Sequence, residues 1–372
     1  MAQPLDIMVL AGDGIGAEVM AEAIRVFDWF AQWRGFNANL RHEEFGADAY
    51  RRTGRFMREE AFADLLKSDA ILFGAFGGTL EANPIPPEIR RKFGLLRIRR
   101  DMGLFANVRP IRCSPALVNA APLRPEITRE VDFVIIRELI GGIYFGEPRG
   151  ITDLGNGEKR GVNTQVYTSS EIKRVGQYAF ELAARRRKNL TSVDKSNVME
   201  SGQLWREEMN RLSQNHPEVA LNHLYVDACA AELMIHPRRL DVLVTDNLFG
   251  DILSDAASPI AGSLGMLPSA SFGAPRENGV RPAFYEPVHG SAPDIAGKGI
   301  ANPCGAILSI GMALEGTFGR SDDAALLQRA VDAALAKCRT ADIKEDGLPT
   351  VSTRDFGSAV LDALQKLRAS TA

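Results

Sequence analysis

Short apolar segments alternate with longer segments of helical periodicity along the whole chain. Five apolar segments have the length of a strand and lie at residues 7–10, 70–75, 132–136, 190–193 and 241–245. Apolar residues recur at helical spacing within residues 16–33, 171–187, 200–212, 248–257 and 324–338. Buried strands that alternate with amphipathic helices are typical of a largely parallel sheet covered by helices on both faces. The sequence therefore predicts an α/β fold, and its 372 residues are enough for two domains.

Charge and cysteine content argue against several classes of protein. The chain has 44 basic and 47 acidic residues, and its net charge of −3 gives no indication of nucleic acid or an anionic membrane as a partner. No apolar run reaches the roughly 18 residues of a membrane span, and the first ten residues lack the pattern of a signal peptide. Cys113, Cys229, Cys304 and Cys338 are far apart, which favours buried free thiols in a reducing compartment. We therefore expect a cytoplasmic protein.

Asp251 and Asp255 lie four residues apart, just after the apolar segment 242–244. On a helix these two carboxylates share one face and repel each other unless a positive charge lies near both. Mg²⁺ and Mn²⁺ prefer such oxygen ligands. A solvated acidic helix face is the alternative, but the flanking residues are mostly apolar or small. The pair is therefore our first candidate for a metal site.

A glycine-rich turn, Gly12-Asp13-Gly14-Ile15-Gly16, separates the first predicted strand from the first predicted helix. It is similar to a dinucleotide-binding turn, but its glycine spacing is GxGxG, not GxGxxG. The acidic residue that a Rossmann site needs about 20 residues later is also missing, because residues 34–36 are Arg-Gly-Phe. The pattern favours a tight turn that requires small residues over a standard Rossmann nucleotide site.

Three arginines follow apolar or structured segments: Arg99, Arg109 and Arg137. A guanidinium group binds a carboxylate through two parallel hydrogen bonds. Three arginines that converge would suit a di- or tricarboxylate, whereas a single arginine after a strand is usually structural. The sequence alone leaves both interpretations open.

Other polar residues stand where α/β proteins form their active sites, at the carboxyl ends of predicted strands. Lys195 and Asp227 each follow such a strand, and a lysine there suits a general base near a cation. Tyr144 lies in the glycine-rich segment 141–146, and His289 lies in a loop of small and turn-forming residues that suits ligand binding. The alternatives are surface positions for Lys195 and Asp227 and a packing role for Tyr144.

Taken in order, these segments resemble the metal-dependent β-decarboxylating dehydrogenases, the isocitrate/isopropylmalate dehydrogenase family. The resemblance spans nearly the whole chain. It rests on Gly12-Asp13-Gly14-Ile15-Gly16, on the blocks from Gly94 to Arg99 and from Leu104 to Arg109, on the block from Arg137 through Gly150, and on the blocks 193–198, 225–227, 247–255 and 286–302.

The resemblance implies a fold, a domain organisation and an assembly. The fold would be the non-Rossmann α/β fold of this family. Residues 1–104 and 263–372 would form the cofactor-side domain. Residues 105–262 would form the substrate, metal and dimerisation domain, with a dimer arm near 141–165. Two copies of the chain would form a homodimer with shared active sites, and the only other partner would be a small-molecule substrate.

The resemblance also implies roles for individual residues. Asp227, Asp251 and Asp255 would bind Mg²⁺ or Mn²⁺. Lys195 of the partner subunit would help to remove the substrate hydroxyl proton, and Tyr144 would return a proton to the enol. Substrate carboxylates would bind Arg99, Arg109 and Arg137, Asp227 would also contact the substrate, and its alkyl group would lie against Leu95, Leu96 and Val198. NAD would contact Ile15, Asn197, Glu286, His289, Gly290, Ser291, Ala292, Asp294, Ile295 and Asn302.

The implied reaction is the NAD-dependent oxidative decarboxylation of (2R,3S)-3-isopropylmalate to 4-methyl-2-oxopentanoate in leucine biosynthesis. Two departures from the family pattern bear on the substrate and the cofactor. Lys92 stands where a glutamate is usual, and Thr79-Leu80 stands in place of Pro-Lys. The alternatives are the same reaction on malate, tartrate, homoisocitrate or another 3-substituted malate, or a non-catalytic paralogous subunit.

Overall fold

The computed structural model describes residues 4–77 and 85–369, so Thr79 and Leu80 lie outside the described residues. Its strands are β1 (Leu5–Gly12), β2 (Ala38–Glu43), β3 (Ala70–Ala75), β4 (Ala106–Arg112), β5 (Asp132–Glu138), β6 (Gly150–Gly155), β7 (Glu158–Val162), β8 (Asn189–Asp194), β9 (Ala220–Tyr225), β10 (Val242–Thr245), β11 (Pro268–Phe272) and β12 (Ala283–Pro287). Its helices are α1 (Gly16–Arg34), α2 (Ala47–Thr53), α3 (Glu59–Leu65), α4 (Pro87–Phe93), α5 (Leu95–Asp101), α6 (Pro125–Thr128), α7 (Ser169–Arg185), α8 (Glu200–Ser213), α9 (Val226–Ile235), α10 (Asn247–Ala256), α11 (Cys304–Gly316), α12 (Ser321–Leu335) and α13 (Thr353–Ala369).

The first of two compact units, unit one, comprises residues 1–104, 113–130 and 258–372. Its strands lie in the order β2-β1-β3-β12-β11. All neighbours are parallel except β11 and β12, which are antiparallel. Helices α1, α11, α12 and α13 pack on one another, and α1 and α11 also contact the strands. Strand β3 is buried along its whole length, as expected for a central parallel strand.

Unit two comprises residues 105–112 and 131–257. Its strands lie in the order β4-β5-β10-β8-β9, and only the β4–β5 pair is antiparallel. Helix α7 packs on β5, β10 and β8, and α8 packs on α7 and β8. Strands β6 and β7 form a separate antiparallel hairpin whose residues are almost all exposed. This hairpin lies within the segment where the dimer arm is predicted.

The predicted α/β fold with a largely parallel sheet is confirmed. The two compact units differ from the predicted domain boundaries at residues 113–130 and 258–262, which group with unit one. For 113–130 the reason is hydrogen bonding to the C-terminal part of the chain. Ser114 Oγ donates to Asp332 at 2.8 Å, and Arg339 donates to the carbonyl of Ala116 at 2.7 Å.

The cysteines and the helices bear on the class of protein. All four cysteines are free and buried, as the sequence predicts. Among the described helices, none is long and apolar enough to cross a membrane.

Candidate active site

Strands β4 and β5 and helix α10 bring together four of the predicted site residues in unit two. Asn107 in β4 lies opposite Arg137 in β5, so Asn107, Arg109 and Arg137 project from the same face of the sheet. Helix α10 packs on this face of β5. The approach depends on Gly250, because a Cβ atom at this position would lie 2.6 Å from Cβ of Arg137. Helix α10 therefore lies beside both guanidinium groups.

The two guanidinium groups are buried against the carboxylates of α10. Arg109 is 9% exposed, and its Nη1 lies 3.2 Å from Oδ1 of Asp255 and 2.6 Å from Oγ of Ser254. Its Nη2 lies 3.6 Å from Oδ1 of Asp251. Arg137 is 3% exposed and pairs with Asp251. Both carboxylates thus share one face of α10, as the sequence predicts, and the arginines offset their mutual repulsion.

The pKa of the Asp255 carboxyl is shifted in opposite directions by its surroundings. Burial raises the pKa of the Asp255 carboxyl, Arg109 lowers it, and the neighbouring Asp251 carboxylate raises it again. The side chain is nevertheless 62% exposed. A hard divalent cation that approached from solvent would meet an accessible oxygen donor here, so the donor chemistry fits Mg²⁺ or Mn²⁺.

Tyr144 ends a short 3₁₀ turn, Gly142–Tyr144, that follows β5. Its hydroxyl donates to Oδ2 of Asp251 at 2.9 Å, and its ring lies 5.7 Å from the guanidinium carbon of Arg137. Burial, and then the Asp251 carboxylate, raise the pKa of the Tyr144 hydroxyl. The phenol is therefore protonated at neutral pH and available as a proton donor.

Lys195 and Asp227 form a second group in unit two. Lys195 directly follows β8, Asp227 lies in the first turn of α9, and their charged groups pair. The hydrogen bond from Lys195 lowers the pKa of Asp227. Within residues 4–77 and 85–369, no three His, Cys, Asp or Glu side chains gather around one point. One copy of the chain thus brings Asp251 and Asp255 together but does not add Asp227 to them.

The glycine-rich turn of unit one is held against the loop that contains Ser291. The backbone N–H of Ile15 donates to the carbonyl of Ser291 at 2.9 Å. A Cβ atom at Gly14 would lie 2.1 Å from that carbonyl oxygen, so residue 14 has to be glycine. Gly12 has φ +74° and lies directly against Ala75, which confirms a tight strand-to-helix turn.

Several predicted NAD contacts lie after β12 in unit one. His289 has a buried Nε2 atom without a hydrogen-bond partner in the described part of the chain, and burial lowers the pKa of this histidine. Asn302 is 5% exposed and donates to Asp342 at 3.0 Å. Glu286 pairs with Arg99 at 2.8 Å. The unpaired ring nitrogen of His289 and the exposed carboxylate of Asp294, five residues later in the chain, suit a nucleoside with hydrogen-bonding groups on its base and ribose.

The remaining predicted NAD contacts differ in exposure. Gly290 and Asn197 are exposed, and Ala292 and Ile295 are half-buried. The backbone N–H of Ile295 donates to the carbonyl of Ala292 at 3.1 Å.

The predicted alkyl-pocket residues present apolar surface to solvent. Leu96 is 49% exposed and Val198 is 66% exposed, while Leu95 is half-buried. Lys92 pairs with Glu59, and its ammonium lies 5.1 Å from the centre of the Phe93 ring.

Sequence reasoning missed several residues that complete the unit-two cluster. Asn247 accepts a hydrogen bond from Nε of Arg137 at 2.9 Å, and Ser254 accepts one from Arg109. A usable signal exists, because Asn247, Asp251, Ser254 and Asp255 follow the i, i+4, i+7, i+8 spacing of one helix face. Tyr167 contacts the backbone of Asn247, but no local pattern indicates this.

Comparisons with known proteins identify the family of the chain. A model of the isocitrate/isopropylmalate dehydrogenase family matches residues 6–360. The chain is 52% identical to 3-isopropylmalate dehydrogenase 1 of Bordetella bronchiseptica over 372 residues, which covers 99% of this chain and 100% of that protein. It is 50% identical to 3-isopropylmalate dehydrogenase of Rhodospirillum rubrum, over 97% of this chain and 98% of that one.

Solved structures share the fold. Isocitrate dehydrogenase from Methylococcus capsulatus superimposes with a TM-score of 0.82 at 28% identity, over 97% of this chain and 99% of that one. A β-decarboxylating dehydrogenase from Thermococcus kodakarensis, in its apo form, gives a TM-score of 0.78 at 32% identity, over 98% of this chain and 97% of that one. The predicted fold is therefore confirmed, and the chain belongs to the isocitrate/isopropylmalate dehydrogenase family.

Proposed function

We propose that this protein oxidises and decarboxylates (2R,3S)-3-isopropylmalate to 4-methyl-2-oxopentanoate in leucine biosynthesis, with NAD⁺ and with Mg²⁺ or Mn²⁺, in the cytoplasm. The family match and the two relatives of 50% identity or more support the reaction. The observation that carries the proposal is the cluster in unit two. Two buried arginines, two helix carboxylates and a protonated tyrosine lie within hydrogen-bonding distance of one another. This set suits a substrate that has two carboxylates and loses one as CO₂.

In the proposed mechanism Arg109 and Arg137 bind substrate carboxylate through their guanidinium groups. Asp251 and Asp255 would supply oxygen ligands to the divalent cation, with Asp227 of the partner subunit as a third. When bound, that cation would polarise the C2 hydroxyl and would stabilise negative charge on the oxygen at C2. The roles of Arg99, Leu95, Leu96 and Val198 stay predictions from the resemblance.

The proton transfers are assigned to two residues. Lys195 of the partner subunit would accept the proton of the C2 hydroxyl, and NAD⁺, when bound, would take up the C2 hydride. The resulting β-keto acid then breaks its bond to CO₂ and leaves an enolate. Tyr144 donates its proton to C3 of that enolate, which its raised pKa and its position beside Asp251 support. NAD⁺ would lie at the loop with His289, Ser291 and Asn302.

A homodimer is part of this proposal, because one copy of the chain leaves the metal site one carboxylate short of the predicted three. In the β6–β7 hairpin, Ile151 is 78% exposed and Leu154 is 54% exposed. On α9 and α10, Ile235 and Ile252 are each 57% exposed. Apolar surface of this kind is typical of a surface that a partner covers.

The experiment is a kinetic comparison of 3-substituted malates with NAD⁺ and Mn²⁺. We expect the highest kcat/KM for 3-isopropylmalate, loss of turnover with EDTA and recovery with Mg²⁺ or Mn²⁺. Lys92 is the one observation that favours another diacid, because a cation near the predicted alkyl pocket would attract a further carboxylate. A higher kcat/KM for isocitrate, homoisocitrate or tartrate would refute the alkyl substrate, and full activity in metal-free protein would refute the metal site.

A further inference from the structure

A buried carboxyl group lies directly behind the proposed active site, and the mechanism above does not use it. Glu138, the last residue of β5, has 0% relative exposure. Its Oε2 accepts the backbone N–H of Gly141 at 2.8 Å, and its Oε1 accepts that of Ile140 at 3.2 Å. These two hydrogen bonds therefore fix the backbone at the start of the segment that leads to Tyr144.

Tyr167 connects this carboxyl group to helix α10. Its hydroxyl donates to Oε2 of Glu138 at 3.2 Å and accepts the backbone N–H of Asn247 at 2.9 Å. Its ring packs edge-on against Trp205, with 5.5 Å between the ring centroids. The Tyr167 side chain is therefore fixed from two sides and joins the end of β5 to the first residue of α10.

The Tyr167 ring also shapes the turn that carries Tyr144. A Cβ atom at Gly142 would lie 2.6 Å from the Tyr167 hydroxyl, and one at Gly141 would lie 2.8 Å from the ring. Gly142 has φ +72°, a conformation that favours glycine. The turn therefore lies directly on Tyr167, and any movement of that ring moves the backbone before Tyr144.

Asn247 extends the network to the substrate-binding face. Its side chain donates to the carbonyl of Gly141 at 3.1 Å and accepts from Nε of Arg137 at 2.9 Å. Arg137 in turn pairs with Asp251, which accepts the Tyr144 hydroxyl. A continuous set of contacts therefore runs from the buried Glu138 to the two groups that the mechanism places at the reacting atoms.

We infer that Glu138 and Tyr167 are positioning residues, which hold Tyr144 and Arg137 in the geometry needed for catalysis without touching substrate. This inference rests on the proposed function. Preorganisation of this kind matters because a displacement of about 1 Å at a reacting group can lower a rate by about 100-fold.

Two substitutions separate positioning from packing. Tyr167→Phe keeps the ring against Gly141, Gly142 and Trp205 but removes the hydroxyl. Glu138→Gln keeps the size of the side chain. In either orientation of the amide, however, its –NH₂ group replaces an oxygen that accepts a backbone N–H, so one of the two hydrogen bonds to Ile140 and Gly141 is lost. Tyr285→Phe in unit one is the matched control, because Tyr285 is also buried (1% exposed, against 7% for Tyr167) and its hydroxyl forms a hydrogen bond with Thr317 at 2.7 Å.

We expect Tyr167→Phe and Glu138→Gln to lower kcat by about 10- to 100-fold while KM for NAD⁺ changes less than about twofold. All of the predicted NAD contacts except Asn197 lie in unit one, and none of the hydrogen bonds described above joins them to this network. Tyr285→Phe should leave kcat within about twofold of the wild type. If the two network variants keep wild-type kcat, or if Tyr285→Phe lowers kcat equally, the inference is overturned.

Backbone hydrogen exchange gives a second readout that does not depend on turnover. In peptides that cover residues 138–147 and 245–252, both network variants should exchange faster than the wild type, and Tyr285→Phe should not. Unchanged exchange in these peptides would overturn the inference. An inactive wild type with faster exchange in the variants would refute the proposed function and still support the positioning network.

Discussion

Replacing Glu138 by glutamine should change how the stability of the protein depends on pH. Burial raises the pKa of the Glu138 carboxyl from an ordinary 4.5 to about 7, although the N–H groups of Gly141 and Ile140 oppose the shift. The folded protein therefore binds this proton more tightly than the unfolded chain does. The contribution of Glu138 to the free energy of unfolding is fully present below about pH 4.5 and is lost as the pH rises through about 7.

The size of the effect follows from the two pKa values. Integration of the linkage relation gives a loss of about 2.5 kcal/mol in the free energy of unfolding between pH 5 and pH 8. Charged groups that face Glu138 are Arg174 and Glu171 on α7, with Tyr167 as its hydrogen-bond donor. Glutamine does not titrate, so Glu138→Gln should lack this loss.

The assay is urea unfolding of both proteins at several pH values, at one protein concentration because the proposed dimer makes stability depend on concentration. We expect the difference in unfolding free energy between Glu138→Gln and the wild type to shift by about 2.5 kcal/mol in favour of the variant from pH 5 to pH 8. Tyr285→Phe, which alters no carboxyl group, should show a constant difference. An equally constant difference for Glu138→Gln would refute the reasoning.

Three further predictions concern the proposed function. Replacing Lys195 by methionine should lower kcat by about 10²- to 10⁴-fold with little change in KM for NAD⁺, because the lysine amine accepts the proton of the reacting hydroxyl; a loss below tenfold in steady-state assays would assign it a structural role. Replacing Asp294 by lysine should shift the kcat/KM ratio toward NADP⁺, since a carboxylate at the ribose repels a 2′-phosphate, and an unchanged ratio would contradict that contact. Replacing Ile151 and Leu154 by aspartate should convert the proposed dimer to monomer in light scattering, because the hairpin would have to bury charge; an unchanged mass would exclude the hairpin from the interface.

Local sequence patterns were sufficient for a strand that is buried along its whole length and for a helix whose buried residues recur at helical spacing. The prediction of a strand at residues 70–75 matches β3, and the predicted helix at 200–212 matches α8 to within one residue. Strand β4 was not predicted, because it contains Pro110 and two arginines, and only the last residues of β9 were predicted, because β9 alternates exposed and half-buried residues. Their strand character comes from hydrogen bonding to β5 and β8, which a local pattern does not contain.

The candidate site also has features that the sequence determines and features that only the tertiary structure determines. The i, i+4 spacing of Asp251 and Asp255 determined by itself that they share a helix face, because helical geometry fixes it. Only the tertiary structure placed Arg109 and Arg137 against that face, since these contacts join residues more than 100 positions apart. The same holds for Glu138 and Tyr167, which meet across 29 residues and support the Tyr144 turn. Helix periodicity is a property of neighbouring residues, whereas the packing of α10 on β5 depends on how the whole chain folds.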